Sequence, residues 1–389
     1  MLKVMIDATP VKPLQSGVGF YVYNLINAID KLQNESLQQE LQLLIAYQPG
    51  LKNWLQRNYR IPDILEVYSN LKVIPLPVRL YNLLVKISPQ LFATSFESSL
   101  QSPDIIHGTN HSVYPCRKSR KIMNIYDLTF MKYPEYVDTV VETYQEQVRR
   151  NLKWTDLIIT ISESSKRDVV EYLNVEPEKV WVTPLASRYY KNYLSAEKIN
   201  QLEEQTLYDF SRPYLLFVST IEPRKNVEAI LQAFNYLKEK HKIDHNLVLI
   251  GKKGWKYEPI FAAIANSPYR NYIYHLDYLS DDEVALFYTK ADMLVYPSHY
   301  EGFGLPVLEA MIFSTPVITS NTSSLPEVAG DAALLIDPNK PMELAEAILQ
   351  VINNSANRQE LVTKGNERVK LFNWERTAKD TIAAYKSLL

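Results

Sequence analysis

Short apolar runs and amphipathic stretches alternate along the whole chain. Residues 3–9, 41–47, 71–76, 104–109, 122–128, 157–162 and 180–185 form one series of apolar runs, and 214–220, 246–251, 272–279, 293–298, 316–320 and 333–337 form a second. Continuous runs of this length suit strands of a parallel sheet, which are covered on both faces. Between the runs, apolar positions follow the helical period. Val227, Ile230, Leu231, Phe234 and Leu237 fall on one face, and Ser280 with Glu283 has the spacing of a capping box. Strand–helix alternation predicts doubly wound α/β sheets with right-handed crossovers.

The rhythm breaks at 186–212, a polar, tyrosine-rich tract between the two series. It divides the chain into predicted domains at 1–185 and 186–373, and the 389-residue length suits two domains. The last stretch, 374–389, reads as a helix with Thr377, Ile382, Tyr385 and Leu389 near one stripe. Open α/β sheets bind ligands at the carboxyl ends of their strands, so the expected site lies between the domains, in loops that follow strands.

Composition narrows the function. The formal net charge is −2 and neither half is basic, which argues against nucleic acid as a partner. A single cysteine, Cys116, permits no intrachain disulfide and suits a reducing compartment; it reads as a bystander. No run approaches the about 18 apolar residues of a membrane-spanning helix, and the first residues lack the apolar core of a signal peptide.

Three loops carry the candidate chemistry. After the first strand, Gly17 and Gly19 precede an amphipathic helix; they suit either a close approach to an anion or a plain helix start. A dinucleotide fingerprint needs a third glycine where Val22 stands, which argues against a dehydrogenase. After the run 214–220, Arg224 and Lys225 sit just ahead of a helix. Cations there oppose the helix dipole by about 0.3–1 kcal/mol each, so a nearby anion is expected, solvated side chains being the other reading. After the run 293–298 comes HYEGFGLPVLE. Gly302 and Gly304 bare the backbone ahead of a helix expected to open at Pro306, with Glu301 in the loop and Glu309 in the first turn. Glycines and two cations suit a diphosphate, and the flanking carboxylates suit sugar hydroxyls, so the loops together suit a nucleotide sugar.

These residues resemble the retaining glycosyltransferases of the GT-B fold, family 4. EGFGLPVLE resembles that family's two-glutamate signature, STIEPRKN its diphosphate-binding loop, SGVGFYVYNL its amino-terminal glycine loop, and SLPEVAGDAALLIDP and FNWERTA its carboxyl-terminal segments. The resemblance covers nearly the whole chain. It implies two Rossmann-like doubly wound domains facing a central cleft, an acceptor-side domain at 1–185 and a donor domain at 186–373, with the 374–389 helix returning to the first. It implies that Arg224 and Lys225 bind the diphosphate as leaving group, and that Glu301 holds the donor sugar. Phe303, Gly304 and Leu305 would supply backbone N–H contacts, Glu309 would bind the ribose, and Tyr278 and Leu279 would meet the base. GKKGW at 251–255 would line the donor side.

One departure stands out. Where the family has His-Asp-Leu, this chain has Tyr126, Asp127 and Leu128. A phenol with a pKa near about 10 is a poor base at neutral pH. In this family the departing phosphate is thought to take the acceptor's proton, so Tyr126 can suffice, or Asp127, His107 or His111 can substitute, His111 as an acceptor contact. The expectation is a retaining, metal-independent hexosyltransferase with no cofactor beyond its donor. Mannose from GDP-mannose comes first and a UDP-hexose second, and the acceptor is a glycan or a lipid-linked saccharide. The competing reading is a catalytically silent nucleotide-sugar-binding partner of another transferase. A cytoplasmic location is expected. The basic-apolar stretches 79–87 and 117–121 suit either peripheral contact with an anionic membrane or ordinary packed and solvated segments.

Overall fold

The computed structural model describes residues 1–12, 17–55, 61–74, 76–90, 93, 97–137 and 142–389. Residues 13–16 of the first glycine loop lie outside them. The chain forms two compact units: Met1–Leu128 with Val140–Leu185 and Trp374–Leu389, and Thr129–Thr139 with Ala186–Asn373.

All thirteen apolar runs hold a strand. In the first unit these are β1 (Leu2–Asp7), β2 (Leu41–Tyr47), β3 (Leu71–Val73), β4 (Ile105–Gly108), β5 (Arg120–Asn124), β6 (Leu157–Thr160) and β7 (Val180–Val182). In the second they are β8 (Tyr214–Val218), β9 (Asn246–Ile250), β10 (Ile273–Leu276), β11 (Met293–Tyr296), β12 (Val317–Ser320) and β13 (Leu334–Ile336). The sheets run β3-β2-β1-β4-β5-β6-β7 and β10-β9-β8-β11-β12-β13. Every pairing is parallel, for example Leu2 with Leu41, Val4 with Ile105 and Met293 with Leu215. All residues of β4, β6, β9, β11 and β12 are buried, as a sheet covered on both faces requires.

The order of each sheet reverses once, between β1 and β4 in the first unit and between β8 and β11 in the second. Loops leaving adjacent strands in opposite directions open a crevice there, the usual ligand seat of doubly wound sheets.

Helix Gly17–Glu35 buries Tyr21, Val22, Leu25, Ile26, Ile29 and Leu32, the stripe its period predicts. Helix Asp281–Lys290 begins with both halves of the Ser280–Glu283 capping box. Helix Trp374–Lys386 belongs to the first unit. Trp374 meets the Phe20 ring at 5.8 Å, the Thr377 hydroxyl donates to the Pro184 carbonyl at 2.7 Å, and Tyr385 Oη lies 2.7 Å from His107 Nδ1. Thr377, Ile382 and Tyr385 are buried as the stripe predicts, whereas Leu389 lies past the helix end and is 77% exposed.

Two boundaries differ from the sequence reading. Thr129–Thr139 groups with the second unit rather than the first. Its aromatic residues explain this, since Tyr133 meets Tyr300 at 5.4 Å and Tyr136 stacks on His299 at 6.0 Å. The helix expected from Pro306 starts one residue earlier, at Leu305, which puts Pro306 second and Glu309 in the second turn.

Candidate active site

At the β8/β11 crevice, a single 3-10 turn, Pro223–Lys225, carries the two cations. Asn226 follows in the left-handed region and locks the turn, donating through Nδ2 to the carbonyls of Pro297 and Pro338 at 3.0 and 2.8 Å. The His299 amide donates to the Arg224 carbonyl at 2.9 Å, joining the loops after β8 and β11. Glu301 therefore meets the cations at fixed distances. Lys225 Nζ lies 2.5 Å from Glu301 Oε1, and Arg224 Nη1 lies 3.2 Å from Oε2. The Tyr296 hydroxyl donates to Oε1 at 2.8 Å and accepts from Lys225 at 3.0 Å.

The anion expected beside Arg224 and Lys225 is thus found within the protein, and there are two of them. Arg224 also pairs with Glu222 at 2.7 Å and donates to the Tyr300 carbonyl at 2.8 Å. Lys225, Glu222 and Glu301 are all buried. Burial by itself pushes the Glu301 carboxyl up; Lys225 and Arg224 outweigh it and hold the pKa at about 2. Two cations face two carboxylates, so the unliganded cluster is neutral. Any anion arriving here would compete with the carboxylates for the cations.

The glycine loop sits beside this cluster. Residues 301–304 are buried, and Gly304, at φ +106°, caps helix Leu305–Ile312. The Ser324 hydroxyl donates to the carbonyls of Glu301 and Phe303 at 2.9 and 2.7 Å, and the Glu301 amide donates to Ser323 Oγ at 3.0 Å. The Phe303 ring packs edge-on against Phe372 at 5.8 Å. Leu305 is half-buried.

Glu309 is buried and its two oxygens meet different donors, Arg188 Nε at 3.0 Å and the Tyr288 hydroxyl at 3.0 Å. Arg188 is half-exposed and bridges on to Asp281 at 2.7 Å. A ligand hydroxyl at Glu309 would share it with Arg188. On the neighbouring strands, Tyr278 is exposed with Lys252 Nζ 4.4 Å above its ring, and Leu279 is half-buried after β10. Gly251, at φ +147°, lets the GKKGW loop reach β8: a Cβ there would stand 1.9 Å from the Ser219 carbonyl oxygen.

The remaining candidates belong to the first unit. Gly17 opens helix Gly17–Glu35 with open space around it, and Gly19 is buried in the first turn. Tyr126, a catalytic candidate in the sequence, sits in the core of the first unit. It is buried, its hydroxyl donates to the Thr109 carbonyl at 2.5 Å, and burial raises its pKa well above the usual phenol value. His107 is fully buried, with its ring nitrogens engaged by Tyr385 and Asn124, and burial lowers its pKa to about 4. His111 differs. It is half-exposed and sits at φ +52°, with its ring 5.7 Å from that of Tyr126 and 6.5 Å from that of Tyr144. Burial lowers its pKa while Asp127, itself half-buried, opposes the shift. The structure thus brings a histidine to the Tyr126–Asp127 pair from the neighbouring strand's loop.

Sequence reasoning missed Glu222, Arg188, Tyr288 and Tyr296. Glu222 had a local signal, a carboxylate two residues before Arg224; Arg188 had none, lying 121 positions from Glu309. Burial raises the Cys116 thiol to about 12, in keeping with a bystander. Among the described residues, no cluster of three or more His, Cys, Asp or Glu side chains could hold a metal, and no helix is long and apolar enough to cross a membrane.

Known proteins resemble this chain in sequence and in fold. The sequence profile of Glycosyl transferases group 1 matches residues 198–368. The chain is 29% identical over 394 aligned residues to an O-antigen chain mannosyltransferase B of Escherichia coli, covering all of both chains. It is 31% identical over 252 residues to an uncharacterized glycosyltransferase of Methanocaldococcus jannaschii, covering 61% of this chain and 67% of that one. Sucrose-phosphate synthase from Thermosynechococcus elongatus superposes with a TM-score of 0.75 at 19% identity, over 100% of this chain and 99% of that one. The fold is that of the GT-B glycosyltransferases, and the chain belongs to the glycosyl transferases group 1 family.

Proposed function

We propose that the protein transfers a hexose, mannose first, from a nucleotide-diphosphate sugar to a hydroxyl of a glycan or lipid-linked saccharide, with retention at the anomeric carbon. The observation that carries this is the pairing of buried Glu301 with buried Lys225 and half-buried Arg224, beside the Gly304-capped helix. A diphosphate on the helix start takes over Arg224 and Lys225, and Glu301 is released towards the sugar's hydroxyls. The two cations neutralise the charge that grows on the leaving diphosphate, work that a divalent ion does elsewhere, so we propose that no metal or cofactor is needed. The departing phosphate oxygen is then placed to take the acceptor's proton on the same face, giving retention. Glu309 with Arg188 is assigned to the ribose, and the Tyr278–Leu279 loop to the base.

GDP-mannose is the first-choice donor, supported by the relative named as a mannosyltransferase over the full chain; a UDP-hexose is the second. A silent partner subunit would have no need of the charge cluster. The proposed location is the cytoplasm. Contact with the inner membrane face would run through helix Val78–Ile87, which exposes Leu80, Leu83 and Ile87 beside Arg79 and Lys86. Flotation with anionic vesicles at low salt tests that contact.

The test of the donor site is a thermal-shift series with GDP, UDP and ADP. A bound nucleotide at 100 times its Kd stabilises by about 2.7 kcal/mol. We expect GDP to give the largest shift and Arg224→Ala to abolish it, with GDP-mannose turnover lost in parallel. Equal silence to all three nucleotides overturns the reading.

A further inference from the structure

Two carboxylates hold Arg224, and they are anchored differently. Glu301 reaches it from the loop after β11, 77 positions away, through a bond of 3.2 Å to Nη1. Glu222 stands in the same turn as the arginine. Its Oε1 accepts from Arg224 Nε at 3.0 Å and from Nη2 at 2.7 Å, while its backbone carbonyl accepts the Lys225 amide at 3.0 Å. The turn thus carries its own counter-charge.

Glu222 is also walled in. It is 7% exposed, and the GKKGW loop lies against it. The Gly254 amide donates to the Ile221 carbonyl at 2.9 Å, and a Cβ at Gly254 would stand 3.1 Å from Glu222 Oε2. In the donor reading, Glu301 turns to the sugar's hydroxyls when the diphosphate arrives. The packing around Glu222 keeps it on Arg224, so one carboxylate stays beside the bound diphosphate. Like charges held close in a buried site repel strongly. The repulsion is greater for the product than for the donor, because breaking the sugar–phosphate bond leaves the terminal phosphate one more ionisable oxygen.

We propose that Glu222 is a positioning residue that holds Arg224 back from the diphosphate and so sets the rate at which the spent nucleotide leaves. The proposal rests on the nucleotide-sugar reading above and adds to it how the site lets its product go. Orienting Arg224 does not require a charge, since a glutamine carbonyl oxygen accepts the same two hydrogen bonds. Glu222→Gln therefore separates charge from geometry.

Calorimetry and surface plasmon resonance on the full chain test it. The probes are inorganic pyrophosphate, guanosine and the nucleoside diphosphate that gives the largest thermal shift. We expect Glu222→Gln to tighten pyrophosphate and the nucleoside diphosphate by about tenfold or more, through a slower off-rate, and to leave guanosine unchanged. In turnover, kcat and the donor KM should fall together. A merely structural carboxylate predicts the opposite sign, because a misplaced Arg224 weakens the diphosphate and raises KM. Glu222→Asp is the second variant. It withdraws the carboxylate by one methylene and should tighten the same probes by a smaller factor, which keeps the question decidable if the glutamine protein unfolds. Diphosphate affinity that is unchanged or weaker in a folded variant, a gain shared equally by guanosine, or a raised KM overturns the proposal. Wild type that binds neither pyrophosphate nor any nucleoside diphosphate fails the donor reading and takes the proposal with it. Wild type that binds them while the variants bind no tighter fails the proposal alone.

Discussion

Lys225 Nζ and Glu301 Oε1 stand 2.5 Å apart with both side chains buried, across 76 positions of sequence. A buried ion pair contributes little net stability, because desolvation offsets the attraction; breaking one partner is another matter. Glu301→Ala leaves Arg224 and Lys225 facing Glu222 alone. We expect a loss of about 3–5 kcal/mol. Glu301→Gln, which keeps hydrogen-bonding capacity without the charge, should lose about 1–3 kcal/mol. Urea unfolding of the three proteins measures both. A Glu301→Ala protein within about 1 kcal/mol of wild type would mean that solvent or rearrangement satisfies the cations. Activity tests of Glu301 should therefore use the glutamine variant, whose fold is the safer.

The same pair fixes an acid limit. The Glu301 carboxyl is held at about 2 in the fold against an ordinary 4.5. A depressed carboxylate stabilises the fold above its unfolded pKa, and that stability drains away as pH falls through the window from 4.5 towards 2. Over the full window the loss approaches about 3 kcal/mol. We expect the melting temperature of wild type to fall across this window more steeply than that of Glu301→Gln. Parallel curves would show that other carboxylates govern the acid limb.

How much of this was legible follows from what each signal needs. Strand positions need only local apolar runs, and all thirteen lie where the runs are. The glycine–proline helix start was legible to within one residue, because Gly304 permits the positive φ of the cap and Pro306 fixes its own φ. The pairing of carboxylates was not. Glu301 could be placed near Arg224 and Lys225 through strand order alone, but its capture by both, the sharing of Arg224 with Glu222, and the Arg188–Glu309 pair depend on side-chain packing that no local pattern encodes. The donation of the Tyr126 hydroxyl to the Thr109 carbonyl was hidden for the same reason.

That hydrogen bond separates Tyr126 from His111 as candidates. Tyr126→Phe removes one buried hydrogen bond, a loss of about 0.5–1.5 kcal/mol, and should leave kcat within about threefold. His111 is half-exposed beside Asp127, and we expect it to be the group that meets the substrate. His111→Gln should lower kcat by about 10²-fold, the scale of positioned proton transfer, with GDP affinity unchanged. Steady-state kinetics with GDP-mannose and a mannotriose acceptor, alongside GDP thermal shifts, check both variants. A Tyr126→Phe protein that is inactive yet fully folded would return the phenol to the mechanism.

Gly304 allows the sharpest separation of backbone from side-chain effects. At φ +106° any other residue is strained, and an added Cβ would also stand 2.7 Å from Leu325 Cδ2, a fully buried side chain. Gly304→Ala should cost about 1–3 kcal/mol from the backbone alone, with the clash added. Leu325→Ala costs about 2–5 kcal/mol by opening a cavity in the core. Combined, the two should cost less than their sum, because removing Cδ2 relieves the clash and leaves only the backbone strain; we expect a coupling of about 0.5–3 kcal/mol. Strict additivity in urea unfolding would place the whole penalty in φ. The GDP shift adds a functional reading. If the amides at this helix start hold the diphosphate, Gly304→Ala weakens GDP in proportion to the displacement of the helix start, and the Leu325→Ala background restores part of the lost affinity.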